Sequence, residues 1–74
     1  MDWHSLESKM FAASAYAPET GTLYLRFRSG EIYGYFDVPE DQYQEFLQAE
    51  SRGRHFLSHI RGRFRYDAYG PSGR

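Results

Sequence analysis

Residues 22–36 read TLYLRFRSGEIYGYF, and this stretch decides the fold of the 74-residue chain because it predicts a β-hairpin. Leu23, Leu25 and Phe27 occupy every second position, which is typical of a strand with one buried face. Gly30 permits a tight turn, and a second run of aromatic and β-branched residues follows it. Two such runs joined by a short turn predict neighbouring antiparallel strands.

The length of the hairpin loop decides which side chains share a sheet face, because side chains alternate along a strand. A two-residue loop would require Ser29 at positive φ and would place Ile32 on the core face. A three-residue loop requires only Gly30 in the left-handed region, and it places Tyr33 and Tyr35 on the core face. We favour the three-residue loop because Ser is a poor residue for positive φ.

The remaining sequence predicts one earlier strand and two later helices. A largely apolar run at 9–16 ends before the turn residues Pro18 and Gly21. Pro39 suits the first turn of a helix, and the Ser51 hydroxyl can cap a second helix. The predicted elements are strands at 9–16, 22–28 and 31–36, a helix from about Pro39 to about Ala49, and a helix that starts after Ser51. The apolar face of this second helix is predicted to carry Phe56, Leu57, Ile60 and Phe64.

These elements predict an α+β fold with a three-stranded antiparallel meander followed by two helices packed on one sheet face. We expect a single domain over residues 1–74, ordered from about 8 to 66, with residues 70–74 as a frayed tail. The other sheet face would be open to solvent or to a partner. The predicted core residues are Leu23, Leu25, Phe27, Tyr43, Phe46, Leu47, Phe56 and Ile60.

The net charge of −1 conceals an uneven distribution of charge along the chain. Residues 1–50 contain three basic and nine acidic side chains, whereas residues 51–74 contain six arginines and one acid, Asp67. A basic C-terminal third on an acidic body favours a polyanionic partner. The alternative is intramolecular, since the two parts could attract one another across the fold.

The sequence contains no pattern that indicates catalysis, a cofactor or a membrane segment. It has no cysteine, no serine in a nucleophile-elbow pattern, and no glycine pattern of a Walker or dinucleotide site. No apolar run reaches the length of a membrane span, and the first residues do not resemble a signal peptide. We therefore expect a cytoplasmic protein that is not an enzyme and has no cofactor.

Two histidines raise the question of a metal site. His55 and His59 stand four residues apart and could bind one ion from a single helix face. Zinc sites use three or four protein ligands, and the spacing favours none of His4, Glu50 and Asp67 as a third ligand. We expect exposed helix histidines and no metal site.

An ordered series of residues resembles the KTSC domain family. The series is Leu23-x-Leu25-x-Phe27-x-x-Gly30-x-x-Tyr33-x-Tyr35-x-x-Val38-Pro39, then Tyr43, Ala49-x-Ser51-x-Gly53-x-x-Phe56 and Ile60. The likeness extends from about Ser8 to Tyr66, and Tyr33 and Tyr35 match the central Tyr-x-Tyr motif of the family. Leu57 departs from the family pattern, which tends to have Asn there. The family is named for a C-terminal extension of some lysyl-tRNA synthetases and includes small stand-alone bacterial proteins, so the resemblance implies RNA as a partner.

Arginines and a tyrosine near the C-terminus are the candidate RNA-binding residues. Guanidinium groups bind phosphate through paired hydrogen bonds, and both guanidinium groups and tyrosines stack on bases. Tyr33 and Tyr35 could also stack on bases, but under the favoured hairpin loop they belong to the core. The alternative for the basic run is a solvated helix face. The candidates, on the second helix and its extension, are Arg52, Arg54, Arg61, Arg63, Arg65 and Tyr66.

The sheet face opposite the helices is a second candidate surface. It carries Tyr24, Arg26, Ile32 and Phe36. Such a mixture of aromatic, aliphatic and arginine side chains is found at protein interfaces. An N-terminal arm with Trp3 and Leu6 could instead cover this face. The alternative function is therefore a protein–protein interaction module whose partner is another protein or a second copy of the chain.

Overall fold

The computed structural model describes residues 2–71 and has the expected α+β architecture, but its sheet has five strands rather than three. The elements in chain order are β1 (His4–Ser5), β2 (Phe11–Ala17), β3 (Thr22–Phe27), β4 (Glu31–Tyr35), α1 (Glu40–Gln48), α2 (Arg52–His59) and β5 (Tyr66–Pro71). The strands lie in the order β1-β2-β3-β4-β5, and all neighbouring pairs are antiparallel. The prediction of three strands was wrong because it missed both edge strands.

The β3–β4 hairpin has the three-residue loop that the sequence favours. Gly30 adopts a φ of 100°, which a residue with a side chain adopts only with strain. Leu23 lies opposite Tyr35, and Leu25 lies opposite Tyr33. Directly opposed residues share a sheet face, so the Tyr-x-Tyr motif lies on the core face and the predicted register is confirmed.

Strand β2 contributes to both faces of the sheet, which explains why its sequence is apolar without regular alternation. A register shift between Phe11 and Ala13 turns the Phe11 ring toward the two helices. Ala13 and Ala15 lie opposite Arg26 and Tyr24 on the other face, and both alanines are buried. Part of the face that was expected to be open is therefore covered.

Strand β5 pairs with β4 at a place where the sequence suggested a tail. Tyr66 lies opposite Tyr35 in this pair of strands. The strand overlaps the first two residues of the predicted tail at 70–74, and the last three residues of the chain lie outside the described part. Phe64, Tyr66 and Ala68 do alternate, but this signal is too short to stand out among the surrounding arginines.

Both helices begin within one residue of their predicted starts, but the second ends earlier than its apolar stripe suggests. Helix α1 begins at Glu40. The Oγ of Ser51 accepts a hydrogen bond from the Arg54 backbone N–H at 3.3 Å, so the predicted cap of α2 is confirmed. Helix α2 ends at His59, and Phe64 lies in the connection to β5. Neither of these two described helices is long and apolar enough to cross a membrane.

The core lies between the two helices and one face of the sheet. Six of the eight predicted residues are buried in it, namely Leu23, Leu25, Tyr43, Phe46, Phe56 and Ile60. Phe27 and Leu47 are half-buried at its edge. The buried cluster also contains Leu6, Phe11 and Val38, which the sequence did not assign to the core, and Tyr35, which the favoured hairpin loop did.

Candidate nucleic-acid interface

The candidate RNA-binding residues lie on α2, on the turn after it and at the start of β5, and we refer to residues 52–66 as the basic segment. Helix α2 ends before Gly62, which adopts a φ of 79° and reverses the chain toward β5. Arg61, Arg63 and Arg65 therefore project from a turn and its exit, not from an extension of the helix as the sequence suggested.

Arg52 has a structural position within the basic segment. Its Nη2 atom donates a hydrogen bond to the Leu47 carbonyl oxygen at 2.7 Å, and its side chain is half-buried. Carbonyl groups in the last turn of a helix have no partner within the helix, so this contact completes the end of α1 and joins it to α2. Arg52 is therefore a poorer candidate for phosphate binding than the sequence suggested.

The other four arginines of the basic segment are exposed. They are Arg54, Arg61, Arg63 and Arg65. The Arg65 Nη2 atom lies 3.6 Å from the Asp37 Oδ2 atom, but both side chains are at least 80% exposed, so this pair stabilises the fold little. It is the one ion pair in the part of the chain that the structure describes. The attraction between the acidic body and the basic segment thus amounts to a single surface contact.

Tyr66 joins Tyr33 and Tyr35 in a group of three tyrosine rings that reaches from the core to the surface. Its ring centroid lies 5.5 Å from that of Tyr33, with 10° between the ring planes, and 5.5 Å from that of Tyr35. Tyr35 is 4% exposed, Tyr33 is half-buried, and Tyr66 is 56% exposed. Aromatic surface is therefore available to a ligand next to the arginines.

A pocket of about 400 Å³ opens beside the three tyrosines, and we call it the tyrosine pocket. The sheet contributes the tyrosines, and α2 contributes Phe56 and Leu57. Arg61 and Glu31 add one charge of each sign to the lining. The pocket thus combines a large aromatic surface with several polar groups, which can orient a bound small molecule.

The hydroxyl group of Tyr35 stays neutral inside this pocket. Burial raises the pKa of Tyr35 to about 12, and the nearby Tyr33 and Tyr66 act in the same direction. The Arg61 guanidinium opposes them and lowers this pKa, because a positive charge favours the ionised form of the hydroxyl group. At physiological pH the Tyr35 hydroxyl can therefore donate one hydrogen bond and accept others.

The opposite sheet face is partly covered from both ends of the chain. The four predicted residues, Tyr24, Arg26, Ile32 and Phe36, are all half-buried. The Arg26 guanidinium lies 4.5 Å from the centroid of the Trp3 ring, and the Tyr69 ring lies 5.6 Å from the Tyr24 ring. Trp3 thus covers this face as the sequence allowed, whereas Leu6 is buried in the core on the other side.

The sequence pattern of the KTSC domain matches residues 7–64. This chain belongs to the KTSC domain family. A crystal structure of a KTSC domain protein from Yersinia pestis is 32% identical in sequence and superimposes with a TM-score of 0.90. The match covers 93% of this chain and 97% of that chain, so the two proteins share the whole fold.

Related KTSC sequences occur in two contexts. A lysine–tRNA ligase of Nostoc sp. is 43% identical over 61 residues, which make up 82% of this chain but 11% of the ligase. A protein of Tsukamurella paurometabola is 38% identical over 60 residues, which make up 81% of this chain and 90% of that protein. The chain therefore spans a small part of the ligase and nearly all of the small protein.

The Tyr-x-Tyr motif of the KTSC domain has two environments in this structure. The Tyr35 ring packs edge-on against the Phe56 ring at 5.5 Å, as a core residue does. Tyr33 is half-buried and lies further out, and both rings line the tyrosine pocket. The sequence did not indicate this pocket. Leu57 was expected to pack into the core from the apolar face of α2, and Glu31 follows the hairpin loop, where an exposed acid needs no special explanation. Leu57 is in fact 48% exposed.

The two histidines of α2 stack on one another. Their ring centroids are 4.3 Å apart, with 11° between the planes. The Nε2 atom of His55 is buried and has no hydrogen-bond partner within residues 2–71, whereas the Nδ1 atom of His59 lies 2.9 Å from the Ser58 Oγ atom. In the same range, no three His, Cys, Asp or Glu residues are arranged to hold a metal ion.

The environment of His55 predicts a loss of stability on mild acidification. Burial lowers the pKa of His55 below its ordinary value of 6.5, His59 adds to this effect, and Glu45 opposes it. Below about pH 6.5 the unfolded chain therefore takes up a proton at this position more readily than the folded chain, and the free energy of unfolding decreases. Urea unfolding between about pH 7.5 and about pH 5.5 should show a larger decrease for the parent than for His55→Gln. His4→Gln, on exposed β1, is the control and should behave like the parent. An equal decrease in the free energy of unfolding for the parent and for His55→Gln would show that His55 does not cause the loss of stability.

Proposed function

We propose that this KTSC domain is a cytoplasmic, non-catalytic module that binds RNA through the exposed part of the basic segment. The observation that supports the proposal is the position of Arg54, Arg61 and Arg63, which are exposed and make no ion pair within the described part of the chain. They lie on one segment with the exposed aromatic ring of Tyr66. Exposed cations next to an exposed ring suit a ligand that has both phosphates and bases.

The net charge of the protein does not oppose this function, because the charge is segregated. Although the whole chain carries −1, the last 24 residues contain six arginines and one acid. Interactions between exposed charges fall off over about 10 Å at ordinary ionic strength, so a phosphate at the turn responds mainly to nearby arginines. The basic segment can therefore attract RNA even though the protein as a whole is weakly acidic.

The relatives support the same proposal. One relative is a ligase whose name specifies tRNA, and this chain corresponds to about 11% of its length. The match supports an RNA partner, because the name of that ligase specifies an RNA substrate. The small relative from Tsukamurella paurometabola has nearly the same extent as this chain, and its name specifies no partner.

The proposal predicts a salt-dependent affinity that decreases when the turn arginines are removed. The logarithm of the association constant should fall linearly with the logarithm of the salt concentration, by about 0.7 per phosphate neutralised on a single strand. Replacing Arg61 and Arg63 together by Gln should therefore reduce the magnitude of the slope by about 1.4. Fluorescence anisotropy of a labelled RNA at several salt concentrations measures this slope.

Arg26→Gln provides a control for this experiment, because it removes one cation from the opposite sheet face and should leave the slope unchanged. Circular dichroism should show that Arg61→Gln/Arg63→Gln keeps the fold, since both side chains are exposed. No salt-sensitive association of the parent with single-stranded or structured RNA at micromolar concentration would end the RNA proposal. An unchanged slope in the double variant would exclude the turn as the contact surface.

Protein–protein interaction through the opposite sheet face is the second candidate function. Tyr24, Arg26, Ile32 and Phe36 keep part of their surface exposed there, and Tyr69 next to them is 49% exposed. An apolar interface depends little on salt, unlike RNA binding. Self-association that persists at high salt in sedimentation or light-scattering measurements, and that Ile32→Lys abolishes, would favour this second function.

A further inference from the structure

The tyrosine pocket has room for a ligand of nucleotide size. Its volume of about 400 Å³ lies within the range of roughly 300–1,000 Å³ that is usual for small-molecule sites. The adjoining core is closely packed, since Phe56 is 3% exposed and Tyr35 is 4% exposed. These two residues give the pocket a fixed floor, and ligand binding would not require the core to open.

The aromatic lining favours a flat ligand. Tyr33 and Tyr66 lie nearly parallel, and the exposed part of Tyr66 can extend this stack by one further ring. Stacking on aromatic side chains is the main way in which proteins hold unpaired bases. A base that is stacked within a duplex cannot enter, so the ligand is a base of a single strand or a loop.

The two charged residues of the lining can bind different parts of a nucleotide, Arg61 the phosphate and Glu31 the base. The Arg61 guanidinium can bind the phosphate of the nucleotide in the pocket. Arg63 is exposed on the same turn, so it can bind the next phosphate of the RNA strand. The Glu31 carboxylate only accepts hydrogen bonds, and its natural partner on a base is an exocyclic amino group. Cytosine has such a group at N4, whereas uracil has a carbonyl oxygen there, which Glu31 would repel.

We infer that the tyrosine pocket binds one unstacked nucleotide of an RNA strand whose base carries an amino group. The base lies against Tyr66, the amino group points toward Glu31, and the phosphate lies at Arg61. This inference rests on the proposed RNA-binding function and adds a base-selective site to it. The remaining arginines of the turn contact phosphates without regard to sequence.

Matched pyrimidine probes test the role of Glu31. Labelled oligocytidylate and oligouridylate of equal length differ at the group that Glu31 would contact, and the parent should bind the cytidine probe at least about fivefold more tightly. Glu31→Gln should remove this preference, because an amide can donate to the uracil oxygen as well as accept. Glu19→Gln removes the same charge from an exposed turn outside the pocket and should keep the preference.

Two tyrosines of β5 test the stacking role. Tyr66→Ala should weaken binding of the cytidine probe roughly tenfold, because a base loses its aromatic partner. Tyr66→Phe keeps the ring and should bind like the parent. Tyr69 is exposed to a similar extent on the same strand but packs against Tyr24 on the opposite face, so Tyr69→Ala should also bind like the parent.

The outcomes separate this inference from the general proposal. Salt-dependent binding of both probes with equal affinity, and equal behaviour of Tyr66→Ala and Tyr69→Ala, would overturn the base-binding pocket and leave RNA binding in place. Absence of salt-dependent binding to either probe would overturn both. Cytidine preference that is lost in Glu31→Gln and kept in Glu19→Gln would support both.

Discussion

Replacing Phe11 by Ala should lower the free energy of unfolding by about 3–5 kcal/mol, which is most of the stability that a domain of this size has. The Phe11 side chain is fully buried. Its ring centroid lies 5.0 Å from that of Phe27, 5.5 Å from that of Phe46 and 5.3 Å from that of Phe56. These rings are attached to β3, α1 and α2, so no single element can move in to fill the cavity.

Thermal and urea unfolding of Phe11→Ala will measure this loss, and Phe46→Ala and Phe56→Ala should show losses of the same size. Leu57→Ala is the matched control, because Leu57 follows Phe56 on α2 and is 48% exposed. It should change the stability by less than about 1 kcal/mol. A Phe11→Ala variant that melts within a few degrees of the parent would show that the aromatic cluster is not the centre of the core.

Tyr43→Phe should destabilise the protein by about 1–3 kcal/mol, although it removes a single oxygen atom. The Tyr43 hydroxyl lies 3.1 Å from the Ser14 Oγ atom, and both residues are buried. Removing one hydroxyl leaves the other buried without a partner, and such a group loses its hydration without compensation. This hydrogen bond joins α1 to the centre of β2.

A double-mutant cycle distinguishes this hydrogen bond from a simple loss of packing. Ser14→Ala and Tyr43→Phe should each be destabilising, and the double variant should be destabilised by clearly less than the sum of the two losses. The reason is that the second substitution removes the unsatisfied group that the first one created. Additive losses in urea unfolding would indicate that the two hydroxyl groups do not interact.

The hairpin and the helix starts could be predicted from sequence because local chemistry determines them. Gly30 fixes a three-residue loop, and the loop in turn fixes which face Tyr33 occupies. Ser51 marks the start of α2 through its own hydroxyl group. In each case the residues that carry the signal lie within a few positions of the feature that they determine.

The edge strands and the pocket could not be predicted in the same way, because contacts between distant residues create them. Tyr66 becomes part of a strand by pairing with Tyr35, and Leu57 lines a pocket because β5 returns next to α2. The structural role of Arg52 could not be predicted either. Its partner is the backbone carbonyl of Leu47, and because every residue has such a group, the sequence does not mark this one. Residue types alone do not show such pairings.

The late position of β5 in the chain gives the order in which the domain can assemble. Strands β2, β3 and β4 are joined by short turns and can pair early, whereas β5 can pair with β4 only after the two intervening helices have been made. A nascent chain that ends before residue 66 can therefore bury much of the core but has no complete tyrosine pocket. A ligand held by Tyr66 would stabilise the closed sheet selectively, and it would slow hydrogen exchange of the β5 amides more than that of the β2–β3 pair.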